Sequence, residues 1–221
     1  MHQSVTTVAH CINPACPRPY PQDIGNNFCN VCGSSLRLKN RYIPLQRLGI
    51  GGFAAIYTLW DLQTKTERVL KVLLESSPKA LAMFEQEAKV LEDLTRLRHP
   101  GVPKVEKDGY FQVILGSSSQ RLVSCLVMEK IVGQTLEDII RLHPQGCPQA
   151  WVIGWLKQAV EILRELHLRN IIHRDIKPSN LMLRQESGQL VLIDFGGAKQ
   201  IGLAHSHSQV SSTRLFSPGY S

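Results

Sequence analysis

His173-Arg174-Asp175-Ile176-Lys177-Pro178-Ser179-Asn180, followed a short way on by Asp194-Phe195-Gly196, is the stretch on which the reading of this chain turns. It sets a carboxylate, an ammonium group two positions later and a carboxamide three positions beyond that, with a second carboxylate further along the chain. Between them lie two short apolar runs, 180–183 and 190–193, separated by Glu186-Ser187-Gly188 and read as a hairpin. Upstream, residues 148–168 carry Trp151, Trp155, Ala159, Ile162, Leu163 and Leu166 at helical spacing, and 135–142 reads as a shorter helix. Earlier still the period changes. Apolar alternation at 42–48, 54–61, 67–74, 109–115 and 121–129 predicts strands broken by Gly, Ser and Asp turns. One helix interrupts them, 78–97, with Leu81, Phe84, Ala88, Leu91 and Leu94 on its apolar face. A sheet-rich part thus precedes a helix-rich one, and the expected fold class is α+β. No internal repeat is present, and the polar run at 205–213 is expected to be mobile.

These side chains fit one chemistry. Phosphoryl transfer from a nucleotide needs a backbone cradle over the phosphates, a cation beside them, side chains that hold a metal and a carboxylate near the acceptor hydroxyl. Gly49-Ile50-Gly51-Gly52-Phe53-Ala54-Ala55-Ile56 lies between two predicted strands, where Gly49, Gly51 and Gly52 leave the backbone unobstructed. Taken alone, a glycine run in a hairpin is more often a plain turn, and it gains meaning from the lysine and carboxylates downstream of it. Lys71, within Val69-Leu70-Lys71-Val72-Leu73, is the candidate cation. Its candidate partner is Glu87, which shares the apolar stripe of Phe84 and Leu91, with Glu85 as the competing choice. Asp175 is the candidate acceptor of the substrate hydroxyl's proton, Lys177 neutralises the phosphate in transit, and Asn180 and Asp194 are the candidate metal ligands.

In order and spacing these motifs resemble those of the protein kinase family over about residues 42–221. The resemblance implies a two-lobed fold, a β-rich lobe followed by a helical one, that uses ATP with Mg2+ or Mn2+. Lys177 matches the serine/threonine form, so the implied partner is a protein offering a Ser or Thr acceptor. The resemblance also implies that Leu48, Ile56, Val69 and Met182 line an adenine slot, that Met128 guards it, and that the backbones of Glu129 and Ile131 hold the adenine edge. Arg174, beside Asp175, implies a phosphate acceptor in the loop after Asp194-Phe195-Gly196, with Ser211, Ser212 and Thr213 as candidates. Two positions depart from the family pattern: Ala54 stands where a third glycine is usual, and Val69 replaces a smaller Ala. Ser217-Pro218-Gly219-Tyr220-Ser221 resembles the family's substrate-docking turn, and the elements that usually come after it are not in this sequence. On that reading the long helix is expected to expose apolar surface, and the chain to be poorly stable, with nucleotide binding surviving better than turnover.

The N-terminal residues belong to a different pattern. Cys11, Cys16, Cys29 and Cys32 crowd a segment rich in Pro, Gly and Asn and poor in aliphatic residues, which needs a staple to fold. Cys11-x4-Cys16 and Cys29-x2-Cys32 have the paired spacing of a tetrahedral four-thiolate site for structural Zn2+, two disulfides or free thiols being the alternatives and His10 a rival ligand. Such a zinc ribbon ahead of a kinase domain resembles a group of bacterial serine/threonine kinases. The expected division is a ribbon at 1–35, a linker at 36–41 and a kinase domain at 42–221.

Composition narrows the remainder. The chain has 221 residues, 43% of them hydrophobic and 19% charged, enough for a buried core. Its net charge of +7 is spread along the sequence, so nucleic-acid binding is not expected. No apolar run approaches membrane-spanning length and no signal peptide is recognisable, which gives a cytoplasmic expectation. A non-catalytic nucleotide-binding or zinc-docking protein is the alternative to a kinase, and the oligomeric state is not legible.

Overall fold

The alternation that begins at Tyr42 closes into an antiparallel sheet. The computed structural model describes residues 8–116 and 120–201, and its elements fall into two units. The first holds a two-stranded ribbon, β1 (Val8–Ala9) and β2 (Gln22–Asp23), and the strands β3 (Tyr42–Ile50), β4 (Ala54–Asp61), β5 (Thr66–Leu73), β6 (Val105–Leu115) and β7 (Arg121–Glu129). The last five form one sheet in the order β3-β4-β5-β7-β6. Because strand side chains alternate, Tyr57, Leu59, Leu70, Val72, Val123, Cys125 and Val127 fall together into one buried cluster. The direct pairs Ile56–Lys71–Leu126 and Thr58–Val69–Met128 therefore lie on the opposite face.

The cysteine-rich segment is packed into that same core. Ile12 and Leu38 join the sheet's cluster, each 1% exposed, and Ala9 packs with Ile43 and Leu45. His10 N–H donates to the Pro44 carbonyl at 2.8 Å, and Gly116 N–H to Ser34 Oγ at 2.9 Å. The stretch read from sequence as a linker, 36–41, contains two fully buried leucines, Leu36 and Leu38. Fully burying a side chain of this kind stabilises by about 1.5–3 kcal/mol, so the segment is held to the sheet. Its end is fixed by Arg41, whose guanidinium donates to both oxygens of the buried Asp61 at 2.8 and 2.5 Å. Gln63 N–H and Thr64 Oγ donate to the same carboxylate. The Arg41 hydrogen bonds hold Asp61 well below the usual carboxylate range.

α1 (Pro78–Arg96) begins in the first unit and ends in the second. The second continues with β8 (Gly133–Thr135), α2 (Leu136–Leu142), α3 (Gln149–His167), β9 (Ile171–Ile172), β10 (Leu181–Arg184), β11 (Leu190–Leu192) and β12 (Lys199–Gln200). Thr135 and Asp138 form a reciprocal capping box that starts α2. The predicted hairpin is β10 with β11, and β8 adds to it in the order β11-β10-β8. Gly133 is required there, because a Cβ would collide with the Leu183 carbonyl of the facing strand. β8, β9 and β12 were not anticipated; strands of two or three residues are too short to show a period. On α3 the apolar stripe is deeply buried at Ile162 and Leu166, whereas Trp151, Leu156 and Val160 are exposed. No helix among the described residues is long and apolar enough to cross a membrane. The run at 205–213, the candidate acceptors Ser211, Ser212 and Thr213, and the terminal turn at 217–221 lie outside the described residues.

Candidate functional site

The loop after β9 is anchored at both ends. Lys199 and Gln200 of β12 pair with Ile172 and Ile171, and Ile201 N–H donates to the Asn170 carbonyl at 2.7 Å. Within the loop, His173 is 1% exposed, with its ring edge-on to Phe195 at 4.8 Å, and burial lowers its pKa so that the neutral ring is favoured. Asp175 N–H donates to His173 Nδ1 at 3.4 Å. The buried Asn180 donates from Nδ2 to the Asp175 carbonyl at 2.9 Å and to Asp175 Oδ2 at 3.0 Å. Lys177 Nζ lies 2.9 Å from that same Oδ2. Asp175, Lys177 and Asn180 are therefore in direct contact, and one carboxylate is oriented by an amide and an ammonium group.

Asp194 comes directly after the β10–β11 hairpin, where Ile193 N–H donates to the Asn180 carbonyl at 2.8 Å. This bond ties the two candidate metal ligands, Asn180 and Asp194, through adjacent backbone. Asp194 has φ 59° and Arg174 has φ 66°, left-handed values that cost a non-glycine residue roughly 1–3 kcal/mol and collect at functional sites. The Asp194 carboxylate accepts from Gly196 N–H at 3.4 Å. Arg174 Nε donates to the Gly197 carbonyl at 2.7 Å. Gly197 itself was missed in the sequence: a Cβ there would come to 3.2 Å from the His173 carbonyl and 3.7 Å from Asp175 Cβ. Its only linear signal was a second glycine after Asp194-Phe195-Gly196.

In the first unit, Lys71 shares the sheet face with Ile56, Val69, Leu126 and Met128, and its side chain is 9% exposed. A solvated surface lysine would not be buried in this way. Ala54 opens β4 as a buried residue, so its methyl lies in the sheet and not at the loop tip, which is Gly51-Gly52-Phe53. Leu48, Ile50 and Phe53 are exposed. A Cβ on Gly49 or Gly52 would meet nothing within 4 Å, and neither residue has the left-handed φ that calls for glycine. Nothing among the described residues demands glycine at these two positions.

Of the two candidate acids on α1, Glu87 is 3% exposed, whereas Glu85 is exposed and accepts from Tyr110 Oη at 3.1 Å. Glu129 ends β7 half-buried. Ile131 is buried in the second unit, and Met182, in β10, is half-buried and pairs with Val191 and Thr135.

The sulfurs of Cys11, Cys16, Cys29 and Cys32 all lie within 4.8 Å of one another. Two of the separations are 3.6 Å (Cys11 to Cys32) and 3.8 Å (Cys16 to Cys29). A tetrahedron of sulfurs about 2.3 Å from a zinc ion has edges of about 3.8 Å, whereas a disulfide requires about 2.05 Å. The four thiols are unlinked, and the donor set suits a thiophilic ion. Gly33, with φ 68°, turns the chain so that its N–H reaches the Cys29 carbonyl at 2.9 Å. Asn13, which the sequence reading passed over, donates to Cys32 Sγ at 3.6 Å and Ser34 Oγ at 3.0 Å. Its Oδ1 also accepts from Ala15 N–H, the Asx turn that Asn13-Pro14 could have signalled. His10 is not a ligand in this arrangement. Its Nδ1 lies 2.8 Å from the Cys11 carbonyl, and its ring packs on Tyr20 and Tyr57.

The protein kinase domain family model matches residues 42–220. Serine/threonine-protein kinase F of Synechocystis sp. is 36% identical over 95% of this chain and 46% of its own length. Serine/threonine-protein kinase B of the same organism is 33% identical over 94% of the chain and 36% of its length. Serine/threonine-protein kinase PknA of Nostoc sp. is 34% identical over 83% of the chain and 32% of its length. The chain thus spans less than half the length of these relatives. With Asp175, Lys177 and Asn180 joined around one carboxylate, Asp194 tied to them through Ile193, and the match running through the sheet and the loop alike, the chain belongs to the protein kinase family.

Proposed function

We propose that this chain carries the catalytic machinery of a protein serine/threonine kinase that uses ATP with Mg2+ or Mn2+. The observation that carries this reading is the contact of Asn180 Nδ2 and Lys177 Nζ with one oxygen of Asp175, at 3.0 and 2.9 Å. An acceptor hydroxyl brought to Asp175 gives up its proton to the carboxylate, which the bond from Asn180 holds in orientation. Lys177 exchanges its contact with Asp175 for the oxygens of the transferring group and neutralises charge there. Asn180 and Asp194 hold the divalent ion, which when bound neutralises the phosphate oxygens and so lowers the barrier to transfer. The cradle is Gly49, Gly51 and Gly52, and Lys71 is the phosphate-facing cation. Leu48, Ile56, Val69, Met128, Glu129, Ile131 and Met182 keep the adenine-side roles that the resemblance implies. Glu87 is favoured over Glu85 as the acid paired with the lysine's function, because a buried carboxylate is held in place only by a specific partner.

The four cysteines hold one structural zinc ion in this reading, and unlinked thiols suit a reducing compartment, which supports a cytoplasmic location. The partner is a protein offering Ser or Thr. Transfer of labelled phosphate from ATP to a generic protein substrate, lost by about 10²–10⁴-fold in Asp175→Ala, is the expected result. Nucleotide binding without transfer under either metal would overturn the enzymatic reading in favour of a binding role. Metal analysis is expected to return one zinc per chain.

A further inference from the structure

Among the described residues β11 pairs with one strand, β10, and its other edge is met by a backbone carbonyl and a side chain. Its pairing with β10 leaves the N–H groups of Leu190 and Leu192 pointing away from β10. Both residues are buried, at 0% and 1% exposure, so those donors are out of reach of water. Leu192 N–H is taken by the Gly101 carbonyl at 2.9 Å, and Leu190 N–H by Oε1 of Gln158 on α3 at 2.8 Å. Gln158 Nε2 also reaches back to the Gly188 carbonyl at 3.4 Å. Gln158 stands one and two turns before Ile162 and Leu166, in line with the buried stripe of α3, where an apolar residue would be expected. A polar side chain on such a stripe is retained for its hydrogen bonds. The strand it closes leads without a break to Ile193, bonded to Asn180, and then to Asp194.

We propose that Gln158 is a positioning residue for Asp194. By accepting from Leu190 it sets the height of β11 against α3, and through Ile193 it fixes the spacing of the two metal-holding side chains, Asn180 and Asp194. The inference rests on the reading of Asn180 and Asp194 as magnesium ligands.

The test uses the purified full chain and a fluorescent ATP analogue, with affinity measured in excess magnesium and in EDTA. Wild type is expected to bind more tightly with magnesium, and Asp194→Asn to lose that gain. Gln158→Leu keeps the volume but removes the acceptor, so the magnesium-dependent gain is expected to fall about tenfold while the EDTA affinity stays within about twofold. Gln158→Glu keeps an acceptor oxygen and is expected to retain the gain. Hydrogen exchange at the Leu190 amide should quicken in Gln158→Leu and stay slow in Gln158→Glu. If Gln158→Leu fails to fold, Gln158→Ser, too short to reach Leu190, carries the same expectation. An unchanged magnesium gain in the variant lacking the acceptor, an equal loss in Gln158→Glu, or parallel losses with and without magnesium would each overturn the positioning role. A wild-type chain indifferent to magnesium would overturn the kinase reading itself, and this inference with it.

Discussion

Truncating Ile12 to alanine probes whether the cysteine ribbon and the five-stranded sheet are one folding unit. Ile12 belongs by sequence to the ribbon, next to Cys11, yet it is 1% exposed within a cluster that includes Leu38, Tyr42, Tyr57, Leu59 and Leu70. Removing its outer carbons leaves a cavity in the sheet's core, and large-to-small changes of this kind cost about 2–5 kcal/mol. Taking about 3 kcal/mol, and about 2–4 °C per kcal/mol for a chain of this size, Ile12→Ala should lower Tm by about 6–12 °C. Phe28→Ala is the control. Phe28 is in the same ribbon but 61% exposed, so its removal should shift Tm by no more than about 2 °C. The assay is a thermal melt combined with hydrogen exchange at the amides of β4 and β5, which should exchange faster in Ile12→Ala. Stripping the metal by chelation should act in the same direction, because binding energy at a structural metal site is folding energy. The reasoning fails if Ile12→Ala keeps its zinc, melts within about 2 °C of wild type and leaves exchange in β4 and β5 unaltered. That result would make the ribbon an independent module joined by a tether.

Three further outcomes are expected. Gly52→Ala should leave Tm within about 2 °C, since its Cβ meets open space, but weaken nucleotide binding measurably; a loss of stability without a change in affinity would contradict the cradle reading. In metal-free protein, burial opposes ionisation of Cys32, but hydrogen bonds with the Ser34 side chain and backbone outweigh it and bring the pKa down to about 6, whereas burial pushes Cys16 up to about 11. Alkylation near pH 7.5 should therefore modify Cys32 ahead of Cys16 by peptide mapping. The ribbon stability due to the Cys32 thiolate, full above its usual value near 9, should be lost as pH falls through about 6. Asp61→Asn should cost about 1.5–3 kcal/mol, since Arg41 loses its two charged hydrogen bonds but keeps Glu106 at 3.5 Å. Because the Asp61 pKa is depressed, its contribution is present above the ordinary carboxylate range near 4 and is lost on acidification below it, so the variant's acid melt should be flatter than wild type's.

Much of this molecule was legible in linear order. The strands at 54–61 and 121–129 and the helix beginning at Pro78 emerged where the periodicity put them, because alternation and helical spacing are imposed locally by which face is buried. The meeting of Asp175, Lys177 and Asn180 was also legible, since they lie within six residues of chain. The cysteine spacing foretold four sulfurs that can meet, and burial on α1 separates Glu87 from Glu85 in the way the apolar stripe suggested. What only the tertiary structure decided involves residues far apart in sequence. Ile12 and Leu38 read as parts of a ribbon and a linker, but they complete the sheet's core because that core offers more apolar area to bury than the ribbon can supply. His10 was drawn onto two tyrosines, and Gln158 was taken up by the open edge of β11. A residue's own neighbours fix its periodicity, but which distant donor or cavity it must satisfy is settled only when the chain closes on itself.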